Sequence, residues 1–259
     1  MAGMGFLLDG FESVSLDQMD SIRLMNRIDT KYVTTLDVLS RVLDMARSSY
    51  LALDAGEGKI SPYDSIYFDT PGREMYTRHH DRRLVRRKVR TRVYMATGAT
   101  FLEIKRKNNH GRTKKKRIGI PPECFNDFSL APGSGDFLSR WTEYDCAMLS
   151  PKIETRFDRV TLVDKAMTER LTIDMNLEFT ALDSGRKAFL EDAVIIELKQ
   201  SGHAPSIIRD ILLELRVKPL RVSKYCIATA LTVPGVRANR FKMKIRMIEK
   251  LKGNKIKVL

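Results

Sequence analysis

The sequence predicts an α+β fold, mainly an antiparallel β-barrel tunnel of about eight strands with a charged lumen and flanking helices. Alternation is the first sign of it. Basic residues fall on every second position in Arg86, Lys88, Arg90 and Arg92, and charged residues do the same in Glu103, Lys105 and Lys107. A strand turns alternate side chains to one face, so each segment presents a charged stripe. The opposite faces carry Val85, Val89 and Val93 in the first segment and Leu102 and Ile104 in the second. Two architectures accept such strands: a sandwich with its charged face in water, or a barrel with a charged lumen and helices over its apolar exterior. Repetition favours the barrel. Glu154, Arg156 and Asp158 alternate with Ile153, Thr155 and Phe157; Asp174 and Asn176 with Leu171, Ile173, Met175, Leu177 and Phe179; Glu197 and Lys199 with Val194, Ile196 and Leu198.

Charge distribution is the second sign. The chain has 259 residues, 43% of them hydrophobic, enough for one substantial domain with helical additions, and a net charge of +14. Residues 82–117 carry fifteen basic residues and one acid, and residues 237–259 carry nine and one, leaving the rest at −8. Positive potential confined to one central block and one tail concentrates anions such as nucleotides, polyphosphate, nucleic acid or acidic headgroups. Cys124, Cys146 and Cys226 are widely spaced and odd in number, which argues against a disulfide framework or a zinc site. The first twenty residues do not resemble a secretory signal, and no apolar run reaches the roughly 18 residues of a membrane span. A cytoplasmic protein is the expectation.

The elements follow in order. Ser15 with Gln18 forms a capping-box pattern for a short helix toward Arg23, and residues 28–34 read as a strand. Thr35 caps a helix with Leu36, Leu39, Val42, Leu43 and Ala46 at helical spacing. Residues 54–59 make a turn, and strand character at 66–68 ends at Asp69-Thr70-Pro71-Gly72. After the central strands, residues 112–120 form another basic segment stopped by Pro121-Pro122. Pro132-Gly133-Ser134-Gly135 precedes a helix with Phe137, Leu138, Trp141, Tyr144 and Met148; it lacks the lysine and spacing of a phosphate-binding loop. His79 and His80, in a polar run, and His110 are read as turn residues, and His203 as loop. Ser206 and Ser223 open two further helices. The division is a domain over residues 1–236 and a basic tail over 237–259. In the tail, Phe241, Ile245, Ile248 and Leu251 form a partial apolar stripe. Such a tail is either solvated and mobile or a surface that grips an emerging polyanion or an acidic membrane.

Several segments together resemble the VTC domain, the polyphosphate-polymerase domain of the vacuolar transporter chaperone family within the triphosphate tunnel metalloenzyme superfamily, related to the CYTH enzymes. They are Arg27-Ile28-Asp29-Thr30-Lys31-Tyr32, Tyr67-Phe68-Asp69-Thr70, Arg90-Thr91-Arg92-Val93-Tyr94 and Phe101-Leu102-Glu103-Ile104-Lys105. Arg156-Phe157, Leu171-Thr172-Ile173-Asp174, Ile196-Glu197-Leu198-Lys199 and Ser223-Lys224-Tyr225 follow in the same order. The resemblance implies that Lys31, Arg90, Arg92, Lys105, Arg156 and Lys224 contact the phosphates of a nucleotide or product chain. It implies that Glu197 helps to hold a divalent metal, Mn²⁺ or Mg²⁺, with Glu103 or Asp174 as a further ligand. For Glu103 a cross-sheet ion pair is an equal reading, and Asp174 has the alternative of orienting an arginine. Lys88, Lys107 and Lys199 are further candidates for substrate contact, or solvated strand lysines.

One departure bears on the activity. Where related CYTH enzymes open with Glu-x-Glu-x-Lys, this chain has Arg27-x-Asp29-x-Lys31, which removes an acid and adds an anion contact at Arg27. That agrees better with a polymerase moving the γ-phosphate of ATP onto inorganic polyphosphate than with a thiamine triphosphatase or a cyclase. Phosphoryl transfer needs charge neutralisation and in-line positioning more than a covalent nucleophile, and arginine forks with lysine point charges supply the first. The alternatives are a metal-dependent inorganic triphosphatase or nucleotide phosphohydrolase, and a noncatalytic polyanion-binding module. Nucleic acid is disfavoured because the strands lack interleaved exposed aromatics. A membrane-protein partner, or peripheral association with an acidic membrane through the tail, completes the expectation.

Overall fold

The computed structural model describes residues 2–20, 27–56, 58–202 and 204–259. Its strands are β1 (Ser13–Val14), β2 (Arg27–Thr35), β3 (Tyr50–Leu53), β4 (Ser61–Asp69), β5 (Arg86–Tyr94), β6 (Thr100–Lys107), β7 (Thr113–Gly119), β8 (Ser150–Asp164), β9 (Glu169–Ala181), β10 (Lys187–Leu190), β11 (Ala193–Ser201) and β12 (Lys257–Val258). Its α-helices are α1 (Ala2–Asp9), α2 (Leu16–Asp20), α3 (Leu36–Ala46), α4 (Glu74–His80), α5 (Ser134–Trp141), α6 (Ile207–Glu214), α7 (Lys224–Thr232) and α8 (Asn239–Lys252).

Antiparallel pairing runs β2–β11–β9–β8–β4–β5–β6–β7, a curled half-barrel of eight strands. Its two end strands, β2 and β7, do not pair with each other among the described residues. This is the expected tunnel architecture, built as a curl rather than a hydrogen-bonded ring. The apolar exterior is covered as the alternation requires. Tyr32, Ile196, Leu198, Leu171 and Ile173 pack beneath α3 and α6, while Ile66, Phe68, Val89, Leu102 and Ile104 pack beneath α5 and the short turns at residues 122–130.

Local signals fix most helix starts. Ser15 N–H donates to Gln18 Oε1 at 2.9 Å and Gln18 N–H to Ser15 Oγ at 3.3 Å, the reciprocal box expected for α2. The extension toward Arg23 lies outside the described residues, as does His203. Thr35, Ser206 and Ser223 each accept a first-turn N–H, opening α3, α6 and α7. α5 stops at Trp141, so Tyr144 and Met148 lie beyond it.

Two expectations are corrected. His79 and His80 end helix α4 instead of lying in a turn, and His80 is buried, its Nδ1 2.9 Å from Asp81 Oδ1. Residues 237–259 are folded onto the body. Phe241 and Ile248 are buried, Ile245 packs beside them, and β12 pairs with β10. Of the predicted stripe on the tail only Leu251 is left exposed, because burying the other three against α7 and the sheet gains more than leaving them in water. No helix among the described residues is long and apolar enough to cross a membrane.

Helix α7 decides the shape of the concave side. Tyr225, Cys226 and Ile227 pack against Val33, Ile195, Ile153, Phe157, Leu177 and Phe179, filling part of the curl with apolar side chains. Asp69 fastens the helix. Fully buried, its Oδ2 accepts from Tyr225 Oη at 2.6 Å and from Tyr76 N–H, and its Oδ1 accepts from Thr70 and Met75 N–H. Two of the segments that carry the family resemblance, at residues 67–70 and 223–225, therefore meet as one structural clasp.

Candidate active site

The unfilled part of the curl is a cavity of about 750 Å³ to which every strand of the half-barrel contributes. Strand register sets its walls. Lys88 sits opposite Lys105 and that in turn opposite Lys115; Arg90 sits opposite Glu103, and that opposite Arg117. On the other side Lys31 faces Glu197, and Asp29 faces Lys199. The N-terminus of α7 opens on the cavity through Ser223 and Lys224, adding its partial positive charge to the field.

Three carboxylates organise these cations, each serving two. Glu103, essentially fully buried, accepts from Arg90 Nε at 2.7 Å and Nη2 at 2.5 Å, and pairs with Lys115. Asp174, also buried, accepts from Arg159 Nε at 2.6 Å and Nη2 at 2.8 Å, and pairs with Lys224. Glu197 lies 3.5 Å from Lys31 Nζ and 3.8 Å from Lys199 Nζ. Burial alone would raise these carboxyls. The cations overcome it and hold all three below the usual carboxylate range: Arg90, Arg92 and Lys115 around Glu103, Arg159 and Lys224 around Asp174, and Lys31, Lys199 and Lys105 around Glu197.

Cations remain in excess. Arg92 donates from Nε to Ser65 Oγ at 2.9 Å, and Lys88 Nζ to Ser223 Oγ at 2.7 Å. Burial, with Arg90 beside them, pulls Lys105 well below its usual value and Arg92 down to about 10. An aromatic floor supports the group. Tyr63 and Phe157 stack with ring centroids 5.6 Å apart; Arg92 and Arg159 lie 5.2 and 4.9 Å from the Tyr63 centroid, and Lys224 Nζ lies 4.2 Å from that of Phe157. Tyr67 accepts from Arg90 Nη1 at 3.0 Å; burial raises its hydroxyl, but Arg90, Lys88, Arg92 and Lys224 together bring it down to about 8.

Of the predicted residues, Lys31, Lys88, Arg90, Arg92, Glu103, Lys105, Glu197, Lys199 and Lys224 line this one cavity, and Asp174 stands directly behind Arg159 and Lys224. Arg156 does not join them. It lies on the outer face of β8, about half exposed, bonded to Asp64 and Glu154. Lys107 lies one strand pair beyond the cavity, opposite Arg86. Arg27 opens β2, but its side chain is outside the described residues. The cavity also takes Asp29, Lys115, Arg117, Arg159 and Arg170, which the sequence reading left out. Lys115 and Arg117 had a signal, alternation within the basic segment after residue 112.

The carboxylates bear on metal binding. Among the described residues no three Asp, Glu, His or Cys side chains converge as a metal site. Both oxygens of Glu103 and of Asp174 are taken by cations. Glu197 lines the cavity with its neighbours beyond hydrogen-bond distance. This donor set suits a divalent ion carried in on phosphates, which would supply most of its oxygens, with Glu197 adding a carboxylate.

The sequence profile of the VTC domain matches residues 26–233. The chain belongs to the VTC domain family. The match ends before α8, so the C-terminal helix and β12 lie outside the matched region. No curated protein sequence gives a significant match. Among solved structures, a putative adenylyl cyclase from Hippeastrum, described as having a dominant triphosphatase activity, aligns over 81% of the VTC chain and 98% of its own at 14% identity, with a TM-score of 0.52. A putative adenylate cyclase from Vibrio parahaemolyticus aligns over 80% and 99% at 11% identity, with a TM-score of 0.46. The first likeness shows a shared fold.

Proposed function

We propose that this VTC domain is a polyphosphate polymerase, transferring the γ-phosphate of ATP to the end of an inorganic polyphosphate chain held in the cavity. The observation that carries the reading is the unbroken file of lumen cations from Arg92 through Arg90 to Lys88 and Lys105. They are in excess of the carboxylates that orient them, and Lys224 joins them at a helix N-terminus. Arg90, Arg92 and Arg159 would fork onto nonbridging oxygens, and Lys31, Lys88, Lys105 and Lys224 would hold neighbouring phosphates in line. The acceptor phosphate is already anionic, so no strong general base is required of the chain. A divalent ion arriving with ATP would neutralise charge between the β- and γ-phosphates, with Glu197 as its protein contact.

Incubation with ATP and Mn²⁺, resolved by phosphorus NMR and a polyphosphate gel, tests this. Long chains and ADP are expected, and Glu197→Gln abolishes them. Release of phosphate alone would make the protein a triphosphatase or nucleotide phosphohydrolase; tight binding without turnover would make it a polyanion receptor.

The buried lysines predict how binding depends on pH. Burial brings Lys199 and Lys224 down to about 8. A phosphate chain favours their charged forms, so binding takes up protons where the free protein has lost them. Tripolyphosphate affinity should fall as pH rises above about 8. Calorimetry in buffers of different ionisation enthalpy should show proton uptake at pH 8.5 and little at pH 6.5; equal, negligible uptake at both would refute it. The free protein moves oppositely. An unfolded chain, with lysines near 10.4, holds more protons between about pH 8 and 10.4, so stability without ligand rises across that window.

A further inference from the structure

The cavity does not end at a wall. Beyond Lys88 and Lys105 the charged face of β5 and β6 continues for one more pair, Arg86 opposite Lys107, about 7 Å further along the strands. Facing that pair is the segment entering α7, where Val222 and Ser223 still line the cavity and Arg221 is exposed. Lys244 of α8 donates from Nζ to the Arg221 backbone carbonyl, which draws the C-terminal helix to the same mouth. Arg86 and Arg221 act on Lys107, and Cys226, Arg82, Arg221 and Arg86 on Lys244; among the described residues none of Arg86, Lys107, Arg221 and Lys244 has a carboxylate within ion-pair distance. Burial first pulls both lysines below their usual value; the neighbouring cations add to this, while at Lys244 Cys226 acts the other way. Inside the cavity cations are held by Glu103, Asp174 and Glu197, whereas this group has no such anchor among the described residues.

We propose that Arg86, Lys107, Arg221 and Lys244 form a cationic collar at this mouth that binds the overhanging phosphates of a chain too long for the cavity. Repulsion among collar cations is relieved only by an anion, and one that leaves the cavity past Lys88 meets them next. α8 thereby extends the anion track beyond the region that matches the family. The occupant is the same phosphate chain the cavity holds, so the inference rests on the phosphate-chain reading of the cavity. It does not depend on whether that chain is made or cleaved there.

The test compares inorganic tripolyphosphate with long-chain polyphosphate by calorimetry, using the full chain and the double variant R221Q/K244Q. Tripolyphosphate should bind both proteins within about twofold, while long-chain affinity falls about tenfold or more in the variant and its dependence on salt becomes shallower. R221E alone, at an exposed position, should give the same selective loss without involving the α8 contact. Equal losses for both ligands, or none for either, would overturn the collar. If the wild type fails to bind tripolyphosphate yet the variant loses long-chain affinity, the collar stands and the cavity reading falls. Loss confined to vesicles of phosphatidylserine, with polyphosphate affinity intact, would instead make this mouth a membrane contact and sink the proposal.

Discussion

Asp174→Ala is expected to cost the fold about 3–5 kcal/mol, the usual consequence of stripping the partner from buried charges. Asp174 is the carboxylate that pairs with both Arg159 and Lys224; Glu197 also acts on Arg159, but Asp174 is its ion-pair partner. Urea unfolding should show the loss as a lower midpoint at unchanged slope. Tripolyphosphate should restore part of it, because a phosphate can take over the charge that the carboxylate gave up. A variant as stable as the parent would show that the two cations find other partners, and the account of Asp174 as an orienting anchor would fail.

Lys105→Met should separate stability from binding. Lys105 is buried among Arg90, Lys31 and Lys88, with Glu197 as its compensating charge, so its ammonium is costly in the free protein. Methionine keeps the length and removes the charge, and the free protein should be at least as stable as the parent. Tripolyphosphate binding should weaken roughly 10- to 150-fold, the value of one or more charge-assisted contacts. Activity should fall with it, if transfer depends on the held chain. A fall in stability together with unchanged affinity would remove Lys105 from the site.

The sequence carried the strands that matter most. In β5, β6 and β11 most charged side chains keep one parity and most aliphatic ones the other, with Arg87, Arg106 and Ile195 as exceptions, so the lumen face could be read from Arg90, Glu103, Lys105 and Glu197. β8 broke the rule. Its lumen parity holds Thr155, Phe157 and Arg159, and the aromatic ring that looked like exterior packing is the floor on which Arg92, Arg159 and Lys224 rest. The resemblance assigns Arg156 to the phosphates and its charged alternation with Glu154 and Asp158 agrees, while Arg159, on the parity of Phe157, is passed over. Helix α4 escaped notice for a different reason. It has no side-chain cap from its own N-cap residue, Arg73, which sits in a left-handed conformation, and the buried Asp69 reaches its first turn from the end of a strand. The tail gave its composition but not its partners. Its apolar residues could be identified, while the surface they cover is assembled from α7 and the sheet.

Among the described residues β2 and β7 do not pair with each other. The free edge of β2 instead takes the segment before α7, with Tyr32 bridged to Pro219 and Leu220 N–H donating to the Lys31 carbonyl at 2.7 Å, and on the phosphate-chain reading this bears on how a polymer would enter. A ring of strands admits a long chain only by its tip, so every association would begin with a search for an end. A curl closed beside β2 by the few hydrogen bonds of one segment, not by a full strand ladder, would need only that segment to move for a chain to enter broadside, at any point along its length. Capture would then grow with the number of phosphate units rather than the number of molecules, and release need not wait for the whole polymer to slide out.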